Sequence, residues 1–193
     1  MGGENIFGNA GIFLLDTLLG LYIMAFMLRF LFQWARVDFY NPISQFLVKI
    51  TAPVLNPFRR FIPGLMGLDM AAVVVMLLLQ WLLFVTISLI HGAQILPVAL
   101  LVIALAELIK LATYVFIFSI FIQVILSWIN PQGHNPIVGL LYSLNEPLLR
   151  PARRLLPNLG GIDLSPLIVL VALQLVQMVP VKMLFGFARQ IQM

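Results

Sequence analysis

Four long stretches of the chain are almost wholly apolar, and they are separated by segments in which apolar and polar residues alternate at helical spacing. The apolar stretches are Ala10–Trp34, Met70–Ile90, Leu108–Trp128 and Leu164–Phe185. About 20 apolar residues carry a helix across roughly 30 Å of hydrocarbon, and backbone groups in lipid must bond one another, so each stretch predicts a transmembrane helix. A fifth run, Ile95–Ala106, is shorter and has no polar face. It can lengthen the third helix, lie in the outer interface, or pack on a partner. After the first span, Ile43, Phe46, Leu47 and Ile50 recur at i, i+3, i+4, i+7, and after the third so do Ile137, Leu140, Leu141 and Leu144. That spacing lays an apolar stripe along one side of a helix. Farther on, Val54, Leu55 and Phe58 oppose Asn56, Arg59 and Arg60, while Leu148, Leu149 and Ala152 oppose Arg150, Arg153 and Arg154. Repeated proline interrupts a helix by removing an N–H and crowding the preceding turn. Each connection is therefore expected to form a pair of short helices in the inner interface, apolar side down and arginines toward the headgroups.

Composition turns this pattern into a fold class. The chain is 62% hydrophobic and 9% charged, whereas soluble domains carry about 25% charged residues. Lipid has to solvate much of its surface, and the class is an all-α membrane protein. The net charge of +4 sits in short loops beside apolar spans, which assigns it to topology and anionic headgroups, with no nucleic acid as partner. There is no Cys, hence no disulfide framework or thiolate metal site. The stretch Met1–Gly8 has no basic cluster and does not read as a signal peptide.

Short-loop Lys and Arg set orientation. Arg36, Lys49, Arg59 and Arg60 follow span one, and Arg150, Arg153 and Arg154 follow span three; the connection His91–Glu107 has none. Both arginine loops are expected to be cytoplasmic and both termini outside, with Arg189 the one weak counter-signal. Trp34 and Trp128 then stand at the inner interface as belt residues.

The two halves are copies. At an offset of 94 residues without gaps, Trp34 meets Trp128 and Asn41-Pro42-Ile43 meets Asn135-Pro136-Ile137. Pro53, Pro57, Arg59-Arg60, Pro63, Gly67, Asp69 and Gln80 fall on Pro147, Pro151, Arg153-Arg154, Pro157, Gly161, Asp163 and Gln174. Between Trp34 and Gln80, 17 of 47 positions are identical, and the matches include spaced Pro, Arg, Gly and Asp, which apolar bias alone would not produce. Residues 1–92 and 93–193 form the two units. Each holds an even number of spans, so the copies run parallel, related by a pseudo-twofold along the membrane normal and not by inversion.

This motif, N-P-[IV]-x…P-x-x-x-P-x-R-R-x-x-P-x-x-x-G-x-D before a long apolar helix, resembles that of the YggT family of small bacterial and plastid membrane proteins. The resemblance covers nearly the whole chain. The second copy, with Arg150-Pro151-Ala152-Arg153-Arg154 and Gly160-Gly161-Ile162-Asp163, is the more typical. The first has Asn56 where the second has the leading arginine. The resemblance makes the second copy the place to expect specific binding. It implies a cytoplasmic or thylakoid membrane and a link to envelope, division, osmotic tolerance or assembly of membrane complexes, with no agreed biochemical activity.

Several polar residues are candidates for function. Asn41-Pro42 and Asn135-Pro136 fit helix starts. Asp69 and Asp163 fit N-caps, compatible with a salt bridge to the preceding arginines. The Arg pairs suit topology and anionic lipid, or docking of an acidic partner segment. Gln80 and Gln174 each fall about 16 Å past their caps at 1.5 Å per residue, near the midplane. There they are expected to face protein, hydrogen-bonding across the pseudo-twofold or lining a polar path. Asp16 and Lys110 occupy matched depths, which suggests either an ion pair or separate snorkelling. Arg29, inside Trp34, can reach the interface by its long stem. The two histidines, His91 and His134, are predicted on opposite sides, and no catalytic set or cofactor site is recognisable.

The residues thus lead to a non-enzymatic scaffold or assembly factor that binds lipid and partner membrane proteins, or copies of itself, in the bacterial inner membrane. A small-solute or ion transport role, or a part in osmotic tolerance, exercised as an oligomer, is the alternative, and a lipid-modifying enzyme a distant third.

Overall fold

A computed structural model describes residues 6–65, 67–92, 96–129, 136–156 and 163–192. Its helices are α1 (Ile6–Trp34), α2 (Pro42–Arg59), α3 (Met70–Ile90), α4 (Pro97–Ile129), α5 (Pro136–Leu155), α6 (Ser165–Val176) and α7 (Lys182–Ile191). Among the described residues, four helical segments are long and apolar enough to cross a membrane: Gly8–Trp34, Met70–Ile90, Pro97–Ile129 and Ser165–Ile191. The protein is a multi-pass, all-helical membrane protein.

The run at 95–106 joins the third span, with residue 95 outside the described residues. The resulting 33-residue α4 is about 50 Å long at 1.5 Å per residue, so it has to tilt or extend past the hydrocarbon. Its first turn is held by Trp81, whose Nε1–H donates to the Pro97 carbonyl at 2.9 Å. The fourth span is continuous but changes pitch: residues Gln177–Val181 form a widened π-turn containing Pro180. Proline has no N–H for the regular ladder, and the wider turn accommodates the ring without breaking the helix.

α3 packs between α1 and α4, and α4 in turn packs on α6 and α7. The arginine-bearing segments lie across the spans: α2 against α1 and α3, α5 against α4 and α6. Their placement is the same in both units. The start of α2 also touches the start of α5, where Asn41 Nδ2 donates to the Pro136 carbonyl at 3.0 Å. Both connections therefore occupy one side of the bundle, α1 and α4 run in the same direction, and the repeats are parallel.

Each connection is one helix and not the expected pair, a correction with a simple cause. Pro53 and Pro57 are four residues apart, as are Pro147 and Pro151, so each pair falls on a single helical face. Pro53, Pro57 and Pro151 are exposed and Pro147 is half-buried. The missing N–H groups fall on that strip, where water or headgroups reach the freed carbonyls. The opposite strip, Leu47, Thr51 and Leu55 in α2 and Leu144, Leu149 and Ala152 in α5, is buried on the spans and keeps the helix continuous.

α1 ends in a Schellman turn: the Val37 N–H bonds the Phe32 carbonyl at 2.9 Å and the Arg36 N–H bonds that of Gln33 at 3.2 Å. The left-handed residue it requires is Arg36, with φ 54°. Glycine is usual there, and a residue with a Cβ costs roughly 1–2 kcal/mol.

Leu55 is fully buried within the cluster to which α1, α2, α3, α4 and α5 all contribute. Leu55→Ala is expected to destabilise the protein by about 2–5 kcal/mol, read as a lowered unfolding midpoint in mixed micelles.

Candidate functional site

Beneath each amphipathic helix lies a buried polar clasp, at equivalent positions of the repeat. In the first unit Arg29 of α1 donates through Nη1 to Thr51 Oγ1 at 2.6 Å and to the Val48 carbonyl at 3.3 Å, both on α2. In the second, 94 residues on, Asn145 of α5 donates through Nδ2 to Gln123 Oε1 of α4 at 2.7 Å, and Ser119 donates to Asn145 Oδ1 at 2.6 Å. Thr51 and Asn145 are wholly buried. Polar atoms in such surroundings lose heavily without partners, so each clasp fixes which face of the amphipathic helix is turned inward.

Arg29 is thereby corrected: 9% of it is exposed, and it turns inward to α2 instead of snorkelling. The clasps do not stand out among the identical repeat positions, because neither pair is identical between the copies. Arg29/Gln123 and Thr51/Asn145 are polar-on-polar matches within apolar runs, a signal the same 94-residue offset contains.

A second clasp closes the far end of each helix. Arg59 bonds Asp69 Oδ2 through Nε at 3.0 Å and also through Nη2; Arg153 bonds Asp163 Oδ2 through Nε at 3.0 Å. Each acid also serves the start of the next span. Asp69 caps α3 by accepting the Ala72 N–H at 3.4 Å, and Asp163 accepts the Ser165 N–H at 2.9 Å. In the first unit a tight turn precedes the cap. Leu65 and Leu68 exchange backbone hydrogen bonds of 3.1 and 2.9 Å, and Gly67 supplies the positive φ of 80°. Gln33 Nε2 reaches its carbonyl at 3.2 Å, tying α1 to the turn.

The second copy adds Glu146, which accepts from Arg153 Nη1 at 2.8 Å. Burial opposes the Arg153 charge, but hydrogen bonds to Asp163 and Glu146 outweigh it and raise its pKa above the usual arginine value. Burial likewise opposes the Asp163 charge, yet the bonds from Ser165 and Arg153 prevail and hold its carboxyl below the usual aspartate range. Arg60, Arg150 and Arg154 are exposed, and among the described residues they have no ion pair.

Other expected pairings are not formed. Asp16 is exposed, and Lys110 bonds Glu107 on its own helix at 3.0 Å; an acid one turn away is reached without crossing the bundle. Gln80 and Gln174 share no hydrogen bond among the described residues. Gln80 is half-buried and Gln174 faces outward, because the two spans that carry them do not pack on each other. Asn41 acts as expected, capping α2 through the Ile43 N–H at 3.0 Å with Pro42 in the first turn. Asn135 and His134 lie outside the described residues.

Gln123→Leu leaves the Asn145 amide unpaired and is expected to cost about 1–3 kcal/mol; Gln123→Leu/Asn145→Leu should cost less than the sum of the single changes. A double-mutant cycle by denaturant unfolding measures this. The lowered Asp163 pKa stabilises the fold above the unfolded carboxyl value of about 3.9. That contribution is expected to fade as pH drops below about 4 and to vanish once pH has passed the folded value. Asp163→Asn removes this part of the dependence of melting temperature on pH. The raised Arg153 value contributes at every pH below the ordinary arginine range and adds no transition near neutrality.

The profile of the CCB3/YggT family matches residues 8–90 and again 102–184, both ends of the second match lying 94 residues beyond those of the first. An uncharacterised protein of Pseudomonas aeruginosa is 44% identical over 176 residues, covering 90% of this chain and 89% of its own. One from Vibrio alginolyticus is 43% identical over 168 residues, covering 86% and 90%. The YggT protein of Escherichia coli K12 is 41% identical over 170 residues, covering 88% of each chain. No solved structure matches the chain. Two family matches, joined to a twice-built clasp of amphipathic helix on span, place this chain in the CCB3/YggT family.

Proposed function

We propose that the chain is a non-enzymatic membrane scaffold or assembly factor of the bacterial inner membrane, binding partner transmembrane helices on one face and anionic lipid at its arginine side. By the distribution of Lys and Arg, that side is cytoplasmic and both termini are outside.

One observation carries the reading: Gln174 is exposed about a third of the way along the least covered span. Only 11% of the most apolar stretch of that span is buried within the chain, against 39% for the third. Around Gln174, Leu167, Val171, Leu175 and Met178 form an exposed stripe at helical spacing. A primary amide facing hydrocarbon without a partner is unfavourable, and hydrogen bonding to a neighbouring helix is the usual remedy, worth on the order of 0.6–2 kcal/mol. The stripe and its amide thus suit a helix supplied by another membrane protein or a second copy. The clasps below α2 and α5 would keep the cytoplasmic face rigid while that helix docks.

A photo-crosslinking amino acid at Val171 or Leu175, activated in intact cells, is expected to give discrete protein adducts. Gln174→Leu should reduce their yield severalfold, while Gln80→Leu has a smaller effect. A chain that forms only lipid adducts and purifies as a lone monomer from mild detergent would overturn the scaffold reading.

A further inference from the structure

The first unit contains a cavity that the second does not reproduce in charge. It occupies about 470 Å³ between the end of α1 and the side of α2, a size that holds a whole small ligand group. Arg29, Arg36 and Arg59 line it together with Phe32, Leu47 and Val48. Of these three, among the described residues, only Arg59 pairs with an acid, Asp69. Asp38, the acid nearest in sequence, lines the adjoining groove between α2 and α5 and accepts the Tyr40 N–H at 2.9 Å.

Arg29 is the built part of this site. It is nine-tenths buried, with Nη1 directed to Thr51 and Val48 and no carboxylate partner among the described residues. A guanidinium has five donors and no means of losing its charge, and a buried charge without a directly bonded counter-ion is unfavourable; Asp69 acts on Arg29 only at a distance, against the repulsion of Arg59. Arg36 adds the second unmatched cation from a left-handed backbone position where glycine would be easier. At the corresponding places of the second unit stand Gln123 and Asn130, and Arg153 there is already bound by two acids. Among the described residues the cavity-lining arginines without an acid thus lie beside the first copy's helix, although the second copy carries the fuller motif.

We propose that this cavity binds the phosphate of an anionic phospholipid headgroup, with Arg29 and Arg36 as its ligands and Arg59 at the rim. Phosphate suits the forked donors of arginine. The lipid origin follows from placement: the cavity opens where a span meets an interfacial helix, and apolar walls flank its cations. Basic pockets beside transmembrane helices recognise such headgroups. Net positive charge disfavours a zwitterionic headgroup, whose ammonium would be repelled. The inference deepens the lipid-binding part of the scaffold reading and does not depend on the Gln174 stripe.

The full chain in non-ionic detergent can be titrated with dioctanoyl phosphatidylglycerol, dioctanoyl phosphatidylcholine or inorganic phosphate, following melting temperature and ligand retention by native mass spectrometry. Phosphatidylglycerol is expected to bind and stabilise, with phosphatidylcholine and phosphate much weaker. Arg29→Gln, which places the second copy's residue in the first, and Arg36→Gly should each weaken binding by at least about tenfold, the loss of one charge-assisted contact. Arg36→Gly relieves the strained turn, so it is expected to fold at least as well without lipid, which separates lost binding from lost structure. Arg154→Gln serves as the control in the second unit. Unchanged phosphatidylglycerol affinity in Arg29→Gln and Arg36→Gly would overturn the site, and equal affinity for inorganic phosphate would overturn its assignment to lipid. Crosslinking through Val171 reports on the partner face separately, so either conclusion can fail while the other stands.

Discussion

Helices in a bilayer gain little by hiding apolar side chains from one another, since lipid tails are as apolar as leucine. An amphipathic helix lying across the ends of two spans therefore needs something directional to hold it at one angle and register. Here that is the buried hydrogen bond between position 29 or 123 on a span and position 51 or 145 on the helix across it. Because Thr51 and Asn145 are wholly buried, letting α2 or α5 roll would leave them unpaired. The ion pairs to Asp69 and Asp163 then fix the far end of each helix and start the following span.

Duplication kept this mechanical plan and changed its chemistry. The first unit uses a cation and a hydroxyl; the second uses a neutral network of glutamine, asparagine and serine. Both satisfy the need for directionality, but they differ in what they leave over. The neutral network carries no charge. The arginine retains charge and donors beyond those taken by Thr51 and Val48, and it lines a cavity with a second unmatched cation. Balance at the far end differs in the opposite sense, with Arg153 saturated by Glu146 and Asp163. Similar clasps thus leave one unit with a neutral network and the other with a buried cation.

The prolines show how context settles a local conflict. Four-residue spacing puts both rings of each pair on one face, so the helix loses its hydrogen bonds only where it is not packed. Proline in α2 and α5 then limits the exposed strip without ending the helix. In the fourth span the same residue type, Pro180, is also exposed but falls within a π-turn, whose wider pitch accommodates the ring.

Much of this was legible in sequence. Four spans follow from apolar runs that exceed the length needed to cross hydrocarbon, and the two parallel units follow from a gap-free offset with even span number. Caps at Asn41 and Asp69 follow from their place before apolar runs, because capping is local. What lay beyond the sequence depends on distant groups meeting. Helix continuity through Pro53 and Pro147 rests on packing against neighbours that periodicity does not identify. Lys110 and Asp16 are matched in depth, but pairing depends on which helices adjoin, and Glu107 is nearer. Gln80 and Gln174 are identical in sequence position yet differently covered, since α3 sits inside the bundle and α6 at its edge. The inward turn of Arg29 toward Thr51, and the unequal charge balance it creates between copies, were decided only when α2 came to rest across α1.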